Sequence, residues 1–224
     1  MLVLLTDPNF AAVRGVDYAI YHDAAARWLA GGPFYWPEQA AGPYEVVQGH
    51  VLYPPVALLL FVPFVHLPAV LWWAVPITLV GAFVVSMRPG PWALAAIAAC
   101  LAWPVTVELL VTGNPVIWVV AALAMSLRWS WVGVLVLIKP SLFPFALGGL
   151  RSRSWWAALC VFGIVCLGFM PMWSEWVAVV TNARGPFSGP FYSLKDLPIM
   201  LIPVLVSRSL TNARAGHPRR WASQ

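Results

Sequence analysis

The sequence predicts an all-α protein, a polytopic transmembrane helical bundle of about six to seven apolar helices with interfacial helices in the first external loop. Three observations carry this. Only 9% of the residues are charged and 61% are hydrophobic, whereas a soluble domain carries roughly 25% charged residues and needs them to keep its surface wet. Mean hydropathy is +0.80, and the apolar residues come in runs separated by arginines, prolines and glycines. The 14 tryptophans suit headgroup level, where an amphipathic ring is stable. The 21 prolines do not argue for disorder, because neighbouring membrane helices satisfy the backbone groups that proline frees.

The chain reads as a single transmembrane domain over residues 1–207, followed by a basic cytoplasmic tail over 208–224. Residues 6–50 form an external polar loop. Within it Tyr18 to Ala30 has helix formers, with Tyr21, Ala25, Trp28 and Leu29 near one side, and Gly31-Gly32-Pro33 stops the helix. Pro37 to Gly49 reads as loop. Transmembrane helices are expected within 52–150 and 154–206. Leu52 to Leu67 is short and broken by Pro54, Pro55 and Pro63. Ala69 to Met87 is a full-length span, stopped by Arg88-Pro89-Gly90-Pro91. Trp92 to Trp103 and Val105 to Thr112 flank Pro104, and Thr112-Gly113-Asn114-Pro115 is a turn. Val116 to Leu127 is apolar. Trp131 to Leu150 reads as a span with Lys139-Pro140 at its middle, and Ser154 to Met172 as the next. Residues 173–196 read as a second external loop. Leu197 to Val206 is the last apolar run. The tail with Arg208, Arg214, Arg219 and Arg220 is expected to be disordered.

Strict alternation puts the Arg151/Arg153 loop and the tail on one side, and the Asp17 region and residues 173–196 on the other. The positive-inside rule assigns the first side to the cytoplasm, although Arg88 and Arg128 count against it. The net charge of +5 has no basic cluster interleaved with aromatics, so no nucleic-acid partner is expected; membrane lipids are. Met1–Leu5 is far too short for a span. Cys100, Cys160 and Cys166 lie in apolar runs and read as small core residues. No metal-ligand spacing, phosphate loop or dinucleotide motif is present, so no cofactor and no metal are expected.

Groups able to move a proton are few and concentrate near the start. Asp17 and Asp23 are six positions apart, about 600° around a helix, so one base acting alone is the better reading than a carboxylate pair. The alternative for Asp17 is a cap of the Tyr18 helix. Tyr21, His22, Tyr35 and His50 are candidates for binding hydroxyls or an anion, or, for the tyrosines, interfacial anchors. Lys139 is costly at the middle of a span; it either pairs with Glu108 or holds a phosphate. Arg184, beside Gly185-Pro186, either reaches an anionic headgroup or is a solvated loop residue.

At these residues the chain resembles glycosyltransferase family 87, membrane enzymes of the GT-C fold. The resemblance rests on Asp17-Tyr18 with Tyr21, Ala24-Ala25, Gly31-Gly32, Tyr35, Tyr53-Pro54-Pro55, Pro63 and Leu67-Pro68. It continues through Gly113-Asn114 ahead of an apolar run to Ile138-Lys139-Pro140, so it covers most of Val16 to Leu150. It implies an inverting transfer of a sugar, mannose above all, from a polyprenyl-phosphate donor. The acceptor is a hydroxyl of a glycan or glycolipid on the non-cytoplasmic face of a bacterial plasma membrane. The resemblance makes Asp17 the catalytic base and needs no metal or cofactor. Tyr21, Tyr35, Tyr53, Asn114, Lys139 and Arg184 become the substrate-binding candidates, with Lys139 assigned to the donor phosphate from its charge and depth. Family chains are longer, with a span before the aspartate, so a truncated or reduced member is expected. The alternative is a non-enzymatic membrane protein, such as a lipid carrier, transporter subunit or inactive relative.

Overall fold

The computed structural model describes residues 13–185 and 192–215, without the side chains of residues 192–193 and 208–215. The described chain is mostly helical. Helix α1 (Val16–Leu29) follows Gly15, whose φ of 70° is the left-handed turn that favours glycine. Its apolar stripe is Tyr21, Ala24 and Ala25, all buried, with Tyr18 and Trp28 packed beside them; this is helical spacing. Gly31-Gly32 ends the helix, and Arg27 closes the turn by donating from Nε to the Pro33 carbonyl at 2.7 Å.

The loop expected over Pro37 to Gly49 contains a short helix, α2 (Pro37–Ala41). It forms because Pro37 starts a helix well and Gln39 accepts from the Trp36 backbone N–H at 3.1 Å. Strand β1 (Tyr44–Glu45) follows. The proline-rich run then forms short pieces. A 3-10 turn at Pro55–Ala57 leads into α3 (Leu58–Phe61), and a second spans Val62–Val65, since each proline removes a backbone donor.

Helix α4 (Val70–Met87) is long and apolar enough to cross a membrane, and only 17% of it is buried. Trp72, Pro76 and Phe83 face inward, while Val70, Ile77 and Val85 are exposed. Helices α5 (Pro91–Ala102) and α6 (Pro104–Thr112) meet at a 64° bend before Pro104. Helix α7 (Val116–Ser126) is the hub. Eight of its eleven residues are buried, as expected for a helix apolar all round, and it packs against α4, the Ser130–Ile138 segment and the last helix.

The sequence predicts one span over Trp131 to Leu150. The structure has instead a 3-10 stretch, Ser130–Ile138, a break at Lys139, a 3-10 turn at Pro140–Leu142, helix α8 (Phe143–Ala146) and a further turn at Leu147–Gly149. Pro140 is the cause: a residue before proline is pushed out of the helical region, and Lys139 has φ −116° and ψ 89°.

Helices α9 (Arg153–Leu167) and α10 (Met170–Asn182) meet at 90°. The external loop expected from Trp173 is therefore helical to Asn182, restarted by Pro171 in the first turn. Strand β2 (Ala183–Arg184) pairs in parallel with β1, Tyr44 opposite Ala183 and Glu45 opposite Arg184. A 3-10 turn at Tyr192–Asp196 leads into α11 (Leu197–Ala215). That helix runs past Val206, so the disorder expected for the tail does not begin at Ser207; residues 216–224 and the four tail arginines' side chains lie outside the described residues, as does Met1–Leu5. Of the six to seven apolar helices expected, α4 alone among the described residues meets the length and hydropathy of a span. The total rises to three if the α5–α6 and α9–α10 pairs each count as one span.

Candidate functional site

Helix α1 packs against α6 and the Val62–Val65 turn, and this brings Asp17 to the end of α6. Asn114 Nδ2 donates to Asp17 Oδ2 at 2.6 Å, and Thr112 Oγ1 donates to the same oxygen at 3.1 Å. The Asn114 amide is oriented from its other end, where Oδ1 accepts the Val116 N–H at 3.1 Å, a local turn that asparagine makes readily. Among the described residues no donor reaches Asp17 Oδ1, and the side chain is half-buried. Asp17 lies in the first turn of α1 and makes no cap, since the capping position is Gly15.

The turn itself is clamped. Trp72 Nε1 donates to the Gly113 carbonyl at 2.7 Å and Trp73 Nε1 to the Leu110 carbonyl at 2.8 Å. Gly113 has φ 72°, and a Cβ there would come within 2.6 Å of the Trp73 ring. Gly15 N–H donates to the Val111 carbonyl at 2.9 Å, tying the start of α1 to the same turn.

One helical turn along, Tyr21 is buried, stacked on Phe61 at 4.7 Å and edge-on to Tyr53 at 5.1 Å. Tyr35 is buried and donates from its hydroxyl to the Tyr53 carbonyl at 2.8 Å. Burial, and secondarily the Glu175 charge, push the Tyr35 phenol well above its ordinary value, so it stays a donor. Lys139 Nζ lies 5.8 Å from the Tyr53 ring centroid and 2.6 Å from Asp196 Oδ2. Both members of this ion pair are buried. Its partner is thus Asp196, not Glu108, whose side chain is exposed on α6. Asp196 is 0% exposed, and its Oδ1 has no hydrogen-bond partner among the described residues.

Six of the predicted residues therefore fall in two groups: Asp17 with Asn114, then Tyr21, Tyr53 and Lys139, with Tyr35 behind Tyr53. Arg184 is not in either. It is exposed, and its Nη1 donates to the Thr181 and Ala183 carbonyls at 2.7 and 2.9 Å. His22 contacts Asp23 at 2.9 Å, and His50 Nδ1 accepts the Val47 N–H at 3.2 Å.

Sequence reasoning missed Thr112 and Asp196. Thr112 sits two residues from Asn114 and was readable only as part of a turn. A buried lysine demands a carboxylate, but Asp196 lies 57 positions from it, and Glu108 was the nearer choice. Comparison with known protein families, curated proteins and solved structures found no match.

Proposed function

We propose that the chain is a polytopic membrane glycosyltransferase of the GT-C type. In this reading the bent pairs α5–α6 and α9–α10 are broken spans lining a cavity, and the outward apolar side chains of α4, α5 and α9 meet lipid. A hexose, mannose by the resemblance, moves from a polyprenyl-phosphate donor to a glycan or glycolipid acceptor on the non-cytoplasmic face of a bacterial plasma membrane. Asp17 Oδ1 takes the proton of the acceptor hydroxyl. The acceptor oxygen attacks the anomeric carbon from the side opposite the phosphate, the bond from carbon to phosphate oxygen breaks, and polyprenyl phosphate leaves with the electron pair. Configuration inverts.

The observation that carries this reading is the meeting of Asp17 with Asn114 at 2.6 Å across 97 positions. A carboxylate fixed through one oxygen, with the other open, suits a general base. Lys139 supports the reading less directly than the sequence suggested. Its charge faces Asp196, so its part is to hold the Tyr192–Asp196 turn beside Tyr53. The test is transfer of labelled mannose from polyprenyl-phosphate-mannose in membranes carrying the chain. Asp17→Asn should lower kcat by about 10²–10⁴-fold with little change in donor KM. Robust transfer by that variant would refute the assignment.

A further inference from the structure

Helices α4 and α7 both start at the Asp17 turn. Trp72 Nε1 donates to the Gly113 carbonyl, and the Val116 N–H donates to Asn114 Oδ1. The two helices pack together and so run the same way, and α4 carries the chain roughly 20 Å from the turn. Arg88 and Arg128, just past their ends, therefore share the other end of the molecule. Residues 130–149 go out from that end to Lys139, which meets Asp196 beside Tyr53, and come back. A Cβ at Gly133 would lie 3.3 Å from the Ser126 side chain and 3.7 Å from both the Ala146 carbonyl and the Trp155 ring, and one at Gly149 would run into the same ring. The run that reads as one span is thus a hairpin. Arg151 and Arg153 lie at the same end as Arg128, not across from it.

We propose that this end is a docking surface for anionic phospholipid headgroups, in the cytoplasmic leaflet. The inference rests on the membrane placement proposed above, not on sugar transfer. The four arginines are exposed, and among the described residues none of them makes an ion pair. The described carboxylates sit elsewhere, on α1, α2, β1, the middle of α6, α10 and the Tyr192–Asp196 turn. A guanidinium matches a phosphate with two parallel N–H donors. Indoles stand between the arginines in sequence. Trp92 is 88% exposed, and Trp129, Trp131 and Trp156 are half-exposed. Such rings are costly in water and stable at headgroup level. The arginines come from three separate loops, so a leaflet with many phosphates suits them better than one free ion. The positive-inside rule puts this end in the cytoplasm. Arg88 and Arg128, which count against that side when Trp131 to Leu150 is a single crossing, now agree with Arg151 and Arg153.

Two measurements on the full chain test this. In detergent, phosphatidylglycerol and phosphatidylcholine are titrated and bound lipid is counted by native mass spectrometry. Phosphatidylglycerol should bind more tightly. Arg88→Gln, Arg128→Gln and Arg151→Gln should each weaken it by about fivefold and leave phosphatidylcholine unchanged, Arg128→Lys should keep most of the affinity, and Arg184→Gln, at the other end, should have no effect. Millimolar inorganic phosphate should not displace the lipid. In membranes, with Cys100, Cys160 and Cys166 changed to serine, Arg88→Cys, Arg128→Cys and Arg151→Cys should all react with an impermeant thiol reagent from one side, opposite to Glu45→Cys. Equal affinity for the two lipids, displacement by free phosphate, or an equal loss in Arg184→Gln overturns the lipid surface. Labelling of the three arginine positions from different sides overturns the shared end. Neither measurement reads transfer, so mannose transfer persisting beside either failure leaves the transferase standing.

Discussion

At the scale of single residues, the Asp17 site depends on what surrounds one carboxylate. Asn114 both donates to Asp17 and is held by the Val116 N–H, so it positions the carboxylate that we propose as the base. Asn114→Ala should lower kcat by about tenfold, the usual consequence of a loosened catalytic geometry, and leave KM for the donor unchanged. A steady-state comparison with Asn114→Asp separates positioning from folding. The aspartate keeps the acceptor for Val116 but puts a second negative charge against Asp17, so it should be worse than alanine in activity at similar stability. Equal kcat in all three chains would show that Asn114 does not position the base.

At the scale of elements, the Lys139–Asp196 pair decides how the Tyr192–Asp196 turn meets the core. Lys139 is released from helical geometry by Pro140, which leaves its side chain able to cross to the start of α11. Breaking one partner strands a buried charge. Lys139→Met should therefore destabilise the fold by about 3–5 kcal/mol, seen as a lower melting temperature in detergent. Replacing both, as Lys139→Met with Asp196→Leu, removes the charges together and should recover most of that loss. If the double variant is no more stable than the single one, the lysine has a task beyond pairing. Activity restored along with stability would confine Lys139 to a structural part; activity still lost would return it to the donor phosphate.

At the scale of the whole molecule, two segments far apart in sequence are joined. Glu45 pairs with Arg184 in the parallel strands, Tyr44 donates from its hydroxyl to the Val179 carbonyl at 3.1 Å, and Asn182 donates to the Gln39 and Ala40 carbonyls at 3.3 and 3.2 Å. Their contact requires both segments to lie on one side of any membrane the chain crosses, so the stretch between them must cross it an even number of times or not at all. In a background with Cys100, Cys160 and Cys166 changed to serine, cysteines at Glu45 and Arg184 should crosslink on oxidation. Each alone should react with a membrane-impermeant thiol reagent from the same, non-cytoplasmic side. Labelling from opposite sides would refute this topology.

The sequence by itself determined the helical class, the extent of α1 and α4, and the turn at Thr112–Pro115, because apolar periodicity, Gly-Gly and Gly-Asn are local signals. It also picked out Asp17, Asn114 and Lys139, since polar groups stand out in so apolar a chain. Only the tertiary structure decided their partners. Asp17 takes Thr112 as well as Asn114, Lys139 takes Asp196 rather than Glu108, and Arg184 turns to its own neighbours. The breaking of the Trp131–Leu150 run and the helix over Met170–Asn182 also came from context, in prolines whose effect depends on what packs around them. The physical reason is range. Propensity acts over a few residues along the chain, whereas a buried charge is satisfied by whichever counter-group the packing of distant helices brings within hydrogen-bond reach.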